Sequence, residues 1–438
     1  MSTASINFQI NPGGCLKGTI RVPGDKSISH RSLMLGAIAQ GITRISGFLQ
    51  GEDTLATMRA FRAMGVEIKH DGENVEIHGT GLHGLQPPPG PIDLGNSGTS
   101  ARLMAGLLSA QEFDSVIIGD ASLMKRPMRR ITEPLRLMHA EIECSEAGTL
   151  PIKITGKQTI IPIDYRLPTV SAQLKSCLLL AALYADGKTR LHESVQTRDH
   201  TERMLYFFGV PVEQTEESVC ISGGNELEAT EIDIPGDISS AAFFMIGACI
   251  ASGSDLVIQN VGVNPTRDAV IQILQQMGAD IIVSNQQIRS GEPIADLHIR
   301  SSQLHGIDIP INLVPIAIDE IPAIMVAAAF AEGKTKLRGA TELRVKESDR
   351  IESIANGLRT LGIEVDTHED GMDVTGGVLQ GGTVNSFSDH RIAMAFAMAG
   401  LGAASPVTVE DCVNVNTSFP GFVELAASTG LGISSIPQ

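Results

Sequence analysis

The chain has 438 residues, 42% of them apolar and 19% charged, and a formal net charge of −17 at pH 7. That balance is globular and long enough for two domains. The acidic charge, with no Trp and only three Tyr, argues against nucleic acid or an anionic membrane surface as a partner, so any anion site is a local basic pocket.

Met1–Ile10 has no basic region followed by an apolar core, so no signal peptide is read. Apolar stretches such as Cys177–Ala185 are too short to span a bilayer. The six cysteines, Cys15, Cys144, Cys177, Cys220, Cys249 and Cys412, form no C-x-x-C pair. They read as reduced thiols of a cytosolic protein. The histidines make no metal-binding spacing, so no metal is expected.

Six related segments follow, with a period of roughly 70 residues, beyond that of the short solenoid repeats. Each has an apolar run rich in small residues, most with a turn and a strand behind it: Leu33–Ile45, Leu103–Ile118, Cys177–Leu191, Phe243–Ile258, Met325–Leu337 and Ile392–Val409. Each unit then has an amphipathic helix that ends in a small turn and a short strand, at Met64–Ile68, Met138–Ile142, Gly209–Glu213, Gly278–Ile282, Gly362–Val365 and Gly430–Ile433. Strand and helix alternate, which predicts an α/β or α+β fold with unusually buried helices. Pro-Gly-Asp occurs at Pro23–Asp25 and again at Pro235–Asp237. We read these as the crossings between two domains of three repeats each. The repeat pattern does not say where Met1–Val22 packs.

The residues that open each apolar run carry the chemistry. In order they are Asp25-Lys26-Ser27 with Arg31; Asn96-Ser97-Gly98-Thr99 with Arg102; Ser171 and Gln173 with Lys175; Asp237 with Ser239-Ser240; Asp319-Glu320; and Asp389-His390-Arg391. Helix N-termini present unpaired N–H groups and the positive end of the macrodipole, so they attract anions. Asp, Ser and Asn there can be plain N-caps. Capping does not ask for Lys26, Arg31, Arg102 and Arg391, whose charges oppose the dipole, and they suggest a ligand with more than one negative group. Two further segments stay open at this level. In Ala121–Arg130, a solvated basic face suits Arg129 and Arg130. In Thr341–Ile351, a salt-bridged solvated face competes with Lys346 and Arg350 on one helix face holding an anion while Glu347 acts as acid or base.

Taken in order, Pro23–Arg31, Leu94–Arg102, Lys125–Pro127, Ser171–Lys175, Asp319–Pro322, Leu343–Arg350 and Ser388–Arg391 resemble the 5-enolpyruvylshikimate-3-phosphate synthase family, end to end. The resemblance implies an α/β (α+β) fold of six βαβαββ units, three per domain, as an inside-out α/β barrel closing over a cleft. It implies domains at 25–235 and at 1–24 plus 236–438, with hinges near 23–25 and 235–237. The implied reaction joins phosphoenolpyruvate to the 5-hydroxyl of shikimate 3-phosphate and releases phosphate, in the shikimate pathway of aromatic biosynthesis. The implied enzyme is a cytoplasmic monomer without metal or organic cofactor.

By matching position, the resemblance assigns shikimate 3-phosphate to Lys26, Ser27, Arg31, Ser171, Gln173, Arg198, Asp319 and Lys346. It assigns phosphoenolpyruvate to Lys26, Asn96, Gly98, Arg126, Gln173, Arg350 and Arg391. Asp319 would be the base on the attacking hydroxyl, with Glu347, Lys346 and Lys26 serving the remaining proton transfers and charge. Three positions depart from many members: Asn416–Pro420 lacks a Lys, Ala172 stands where a second Ser is common, and Asp319 precedes Ile321-Pro322 instead of following the Pro. Gly98 is retained in the glyphosate-contacting turn, which leaves sensitivity to that inhibitor open. Three rivals remain: an enolpyruvyl transferase acting on UDP-N-acetylglucosamine, a non-catalytic anion-binding relative, and a polyanion-binding module.

Overall fold

The computed structural model describes residues 6–156 and 159–437. The first five residues of the Met1–Ile10 stretch, and residues 157, 158 and 438, lie outside the described residues. The chain divides into two compact units. One comprises Gly24–Ile234 and Arg289–Glu292, the other Met1–Pro23, Pro235–Ile288 and Pro293–Gln438. Each has its own apolar core.

Twelve α-helices occur among the described residues, two per repeat. The first unit contains α1 (Lys26–Ile38), α2 (Glu52–Ala63), α3 (Gly98–Leu108), α4 (Arg129–Leu137), α5 (Ala172–Ala182) and α6 (His200–Phe207). The second contains α7 (Ile238–Ile250), α8 (Ala269–Gln276), α9 (Ile321–Ala329), α10 (Arg350–Thr360), α11 (His390–Ala399) and α12 (Phe422–Thr429). The odd-numbered helices are the apolar runs. They are buried nearly all round, because small residues let neighbouring helices approach. Gly106 marks one such approach: a Cβ there would lie 2.0 Å from the Cys177 carbonyl oxygen, so the backbones of α3 and α5 come close together.

Each repeat contributes one small sheet, six in all among the described residues. In the third repeat, Lys188–His192 pairs antiparallel with Ser218–Ser222, which pairs with Val212–Gln214. Asp164–Arg166 adds a parallel edge, Tyr165 opposite Leu191. Distant segments close three of the sheets. Ile6–Asn11 enters the sixth repeat's sheet between Val407–Glu410 and Gly432–Pro437, Phe8 facing Val409 and Ser435. Lys17–Ile20 runs parallel to Asp255–Gly262 in the fourth, and Glu231–Asp233 runs parallel to Ala39–Ser46 in the first. The place of the N-terminal segment, which the repeat pattern left open, is thus set by two long-range pairings. No described helix is long and apolar enough to cross a membrane.

Candidate active site

All six segments singled out by sequence do open the apolar helices. Five are capped as the plain reading predicts. Asp25, Ser97, Ser171, Asp237 and Asp389 accept from the backbone N–H of Ile28, Ser100, Leu174, Ser239 and Arg391 respectively. The cations near these caps have other partners, and each unit arranges its own set.

In the unit of Gly24–Ile234, Lys26 begins α1 and its Nζ lies 2.5 Å from Asp53 Oδ2 in the first turn of α2. Arg31, one turn on, is buried. Its Nε donates to Thr201 Oγ1 at 2.7 Å, one terminal nitrogen to Ser176 Oγ at 2.7 Å and the other to the Ser27 carbonyl at 3.0 Å. Burial lowers the Arg31 pKa to about 10; Glu202 opposes the shift and the nearby Arg198 charge reinforces it. A planar fork held this way is pre-oriented for a phosphate or carboxylate. Burial, with the charges of Lys26 and Arg31, pushes His30 well below the ordinary histidine value and keeps it neutral. Its Nδ1 meets Thr57 Oγ1 at 2.9 Å and Ser100 Oγ at 3.2 Å, tying α1 to α2 and α3.

The second group in this unit gathers at the starts of α3 and α5. Arg126 donates to Asn96 Oδ1 at 2.9 Å, and Asn96 Nδ2 donates to Asp120 Oδ2 at 2.7 Å. Arg102 donates to Gln173 Oε1 at 2.6 Å, and Gln173 Nε2 donates to Thr99 Oγ1 at 3.1 Å. A Cβ added at Gly98 would sit 2.9 Å from one Arg126 nitrogen and 3.1 Å from one of Arg102. Lys175 departs from the expected pattern. It is fully buried, 2.6 Å from Glu202 and 2.9 Å from Glu193, and takes no part in an anion site. An ammonium with two carboxylates in the core is satisfied internally.

In the other unit, Asp319 collects cations. Lys346 Nζ is 3.4 Å from its Oδ1, Arg350 3.5 Å from the same oxygen and Arg391 4.0 Å from Oδ2. Arg391 also donates to the Asp319 backbone carbonyl at 2.8 Å. Arg350 donates to Glu347 Oε2 at 2.7 Å and to Asp389 Oδ2 at 2.8 Å. Burial acts to lower the pKa of Arg350, but Asp389, Glu347 and Asp319 outweigh it and raise it. Burial acts to raise Asp389, but Arg350 outweighs it and holds the carboxylate below its usual range. Burial lowers Lys346, against Asp319 and helped by Arg350.

This corrects the picture of Lys346 and Arg350 on one helix face. Lys346 follows the 3-10 turn Thr341–Val345, whereas Arg350 opens α10. The solvated network is real but smaller: Arg344 pairs with Asp349 at 2.8 Å and Glu352 at 3.5 Å, while Arg350 turns into the core. The turn before α11 holds Phe387 and Ser388 at φ +55° and +58°. Such left-handed residues cost about 1–3 kcal/mol each. Bonds from Ser388 Oγ to Asp411 Oδ2 and from Asn414 Nδ2 to the Ser388 carbonyl hold the turn, which aims Asp389 at Arg350.

Sequence reasoning missed Asp53, Asp120, Ser176 and Thr201. None sits in a motif with the side chain it holds. The two hydroxyls carry no charge signal at all.

The EPSP synthase (3-phosphoshikimate 1-carboxyvinyltransferase) family model matches residues 10–425. A 3-phosphoshikimate 1-carboxyvinyltransferase of Methylococcus capsulatus is 59% identical over 434 residues, covering 99% of each chain. That of Nitrosococcus oceani is 56% identical over 434 residues, covering 99% of this chain and 98% of its own. A solved structure of EPSP synthase from Acinetobacter baumannii superposes with a TM-score of 0.89 at 53% identity, covering 98% of this chain and all of that one.

Proposed function

The chain belongs to the EPSP synthase family, and on that premise we propose roles for its residues in the family's reaction. It is a transferase of the shikimate pathway that moves the enolpyruvyl group of phosphoenolpyruvate to the 5-hydroxyl of shikimate 3-phosphate and releases phosphate.

The observation that carries the assignment is the Asp319 carboxylate with Lys346, Arg350 and Arg391 all within 4.0 Å. Asp319 takes the proton of the attacking hydroxyl as its oxygen bonds to C2 of phosphoenolpyruvate. Lys346, whose pKa burial lowers, and Glu347 deliver a proton to C3, which becomes a methyl group. In the tetrahedral intermediate the bond from C2 to the phosphate oxygen then breaks. Loss of a proton from C3 restores the double bond, and phosphate leaves.

Shikimate 3-phosphate is bound by Lys26, Ser27, Arg31, Ser171, Gln173 and Arg198, with Asp319 and Lys346. The Arg31 fork, already fixed by Thr201 and Ser176, needs little reordering to take a phosphate. Phosphoenolpyruvate is bound by Lys26, Asn96, Gly98, Arg126, Gln173, Arg350 and Arg391. Two multiply charged anions repel, so several cations are needed before they can react. A monomer is proposed as the working form. The six free cysteines suit a reducing cytoplasm.

Replacing Asp319 with Asn tests the central role. The variant is expected to bind both substrates and to lose nearly all turnover. Full turnover would remove Asp319 as the base.

A further inference from the structure

Asp319 is followed by a second acid, Glu320, which no role above uses. Its position at the start of α9 suggests an N-cap, but its side chain makes no capping bond. The carboxylate is fully buried. Oε1 accepts from Ser239 Oγ, lies 3.4 Å from Arg267 and lies 3.7 Å from Arg391. Arg267 is also buried, donates to Ser239 Oγ at 2.7 Å and stands 3.6 Å from Asp237. Oε2 of Glu320 has no hydrogen-bond partner among the described residues.

A buried carboxylate with one unbonded oxygen is costly, so its presence asks for a compensating gain. The gain is visible at Arg391. That guanidinium is steadied by the Asp319 carbonyl on one nitrogen and by the Glu320 carboxylate beside the same nitrogen. Glu320 is fixed in turn by the α7 residue Ser239 and by Arg267.

We propose that Glu320 is a positioning residue of the reaction: backed by Arg267 and Ser239, it holds Arg391 in the orientation that receives phosphoenolpyruvate. The inference rests on the assignment of Arg391 to that substrate.

The test is a mutant cycle of Glu320→Gln, Arg391→Gln and the double variant, reading KM for each substrate and kcat. Glutamine keeps the shape and the acceptor for Ser239 but removes the charge. Glu320→Gln is expected to raise KM for phosphoenolpyruvate roughly tenfold, through loss of the ion pair that orients Arg391. KM for shikimate 3-phosphate should be unchanged. The double variant should be no worse toward phosphoenolpyruvate than Arg391→Gln alone. Equal rises in both KM values, or an effect that adds to that of Arg391→Gln, would overturn the proposal while leaving the assignment of Arg391 intact. An unchanged phosphoenolpyruvate KM in Arg391→Gln would instead overturn the assignment itself, and the proposal with it. Should Glu320→Gln not fold, Ser239→Ala removes the hydroxyl that fixes Glu320, and the same split in KM is expected from it. Its absence there counts against the proposal.

Discussion

Lys26 Nζ lies 2.5 Å from Asp53 Oδ2, so the lysine that opens α1 is held by a carboxylate in the first turn of α2. Both groups are largely out of solvent, where an ion pair orients as well as stabilises. Lys26→Met is predicted to weaken both substrates and nearly abolish turnover. Asp53→Asn should lower kcat/KM by about tenfold through Lys26 alone. Steady-state kinetics of the double variant check this: a rate no lower than that of Lys26→Met is expected, and an additive loss would separate the two residues.

Glu347 accepts from Arg350 at 2.7 Å, so its carboxylate is aimed before any ligand arrives. Glu347→Gln keeps the acceptor and removes the proposed proton-transfer group. Calorimetry should find both substrates still bound, while turnover falls by roughly 10²–10⁴-fold. A folded variant that no longer binds would make Glu347 a structural residue.

How much of this was legible in the sequence differs from residue to residue. The six helix starts were readable because a cap-type residue followed by a small apolar run is a local signal, although no side chain caps α9. The α/β class and the pair of helices in each repeat followed from the same periodicity. Two features were not readable, for one reason. Ile6–Asn11 completes a sheet with strands from the far end of the chain, and Asp53, Ser176 and Thr201 reach their cations from other helices. Local pattern has no term for such encounters. Lys175 misled for the converse reason: its first-turn position resembles that of Lys26, yet Glu193 and Glu202 consume its charge.

Lys346 should set the alkaline limb of the pH profile. Burial holds it below the ordinary lysine value, which is about 10.4. In the proposed mechanism the protonated form is the acid toward C3, so kcat is predicted to fall as pH rises through the lowered value. In Lys346→Met the residual rate should lose that limb. A limb that persists would assign it to another group.

Arg350 and Asp389 form a buried pair at 2.8 Å. Arg350→Met leaves the Asp389 charge uncompensated and should cost about 3–5 kcal/mol in urea unfolding. The sign with pH follows from the depressed Asp389 value. Its contribution is complete above the unfolded carboxyl value of about 3.9 and is lost as pH falls through the lower folded value. Asp389→Asn should lack that part of the acid slope. An unchanged slope would mean that another carboxylate dominates it.

Gly98→Ala places a methyl group 2.9 Å from Arg126 and 3.1 Å from Arg102. The ends of these side chains can shift, so the fold should hold. Thermal melting should be nearly unchanged, while KM for phosphoenolpyruvate rises several-fold and KM for shikimate 3-phosphate stays level. Equal changes in both would show that Arg126 does not discriminate the two ligands.

The most direct measurement is phosphate release from phosphoenolpyruvate in the presence of shikimate 3-phosphate, beside a reaction given UDP-N-acetylglucosamine instead. Release with shikimate 3-phosphate alone, matched by an equal amount of enol ether product, is the predicted result. Release with the nucleotide sugar, or none with either acceptor, would contradict the account.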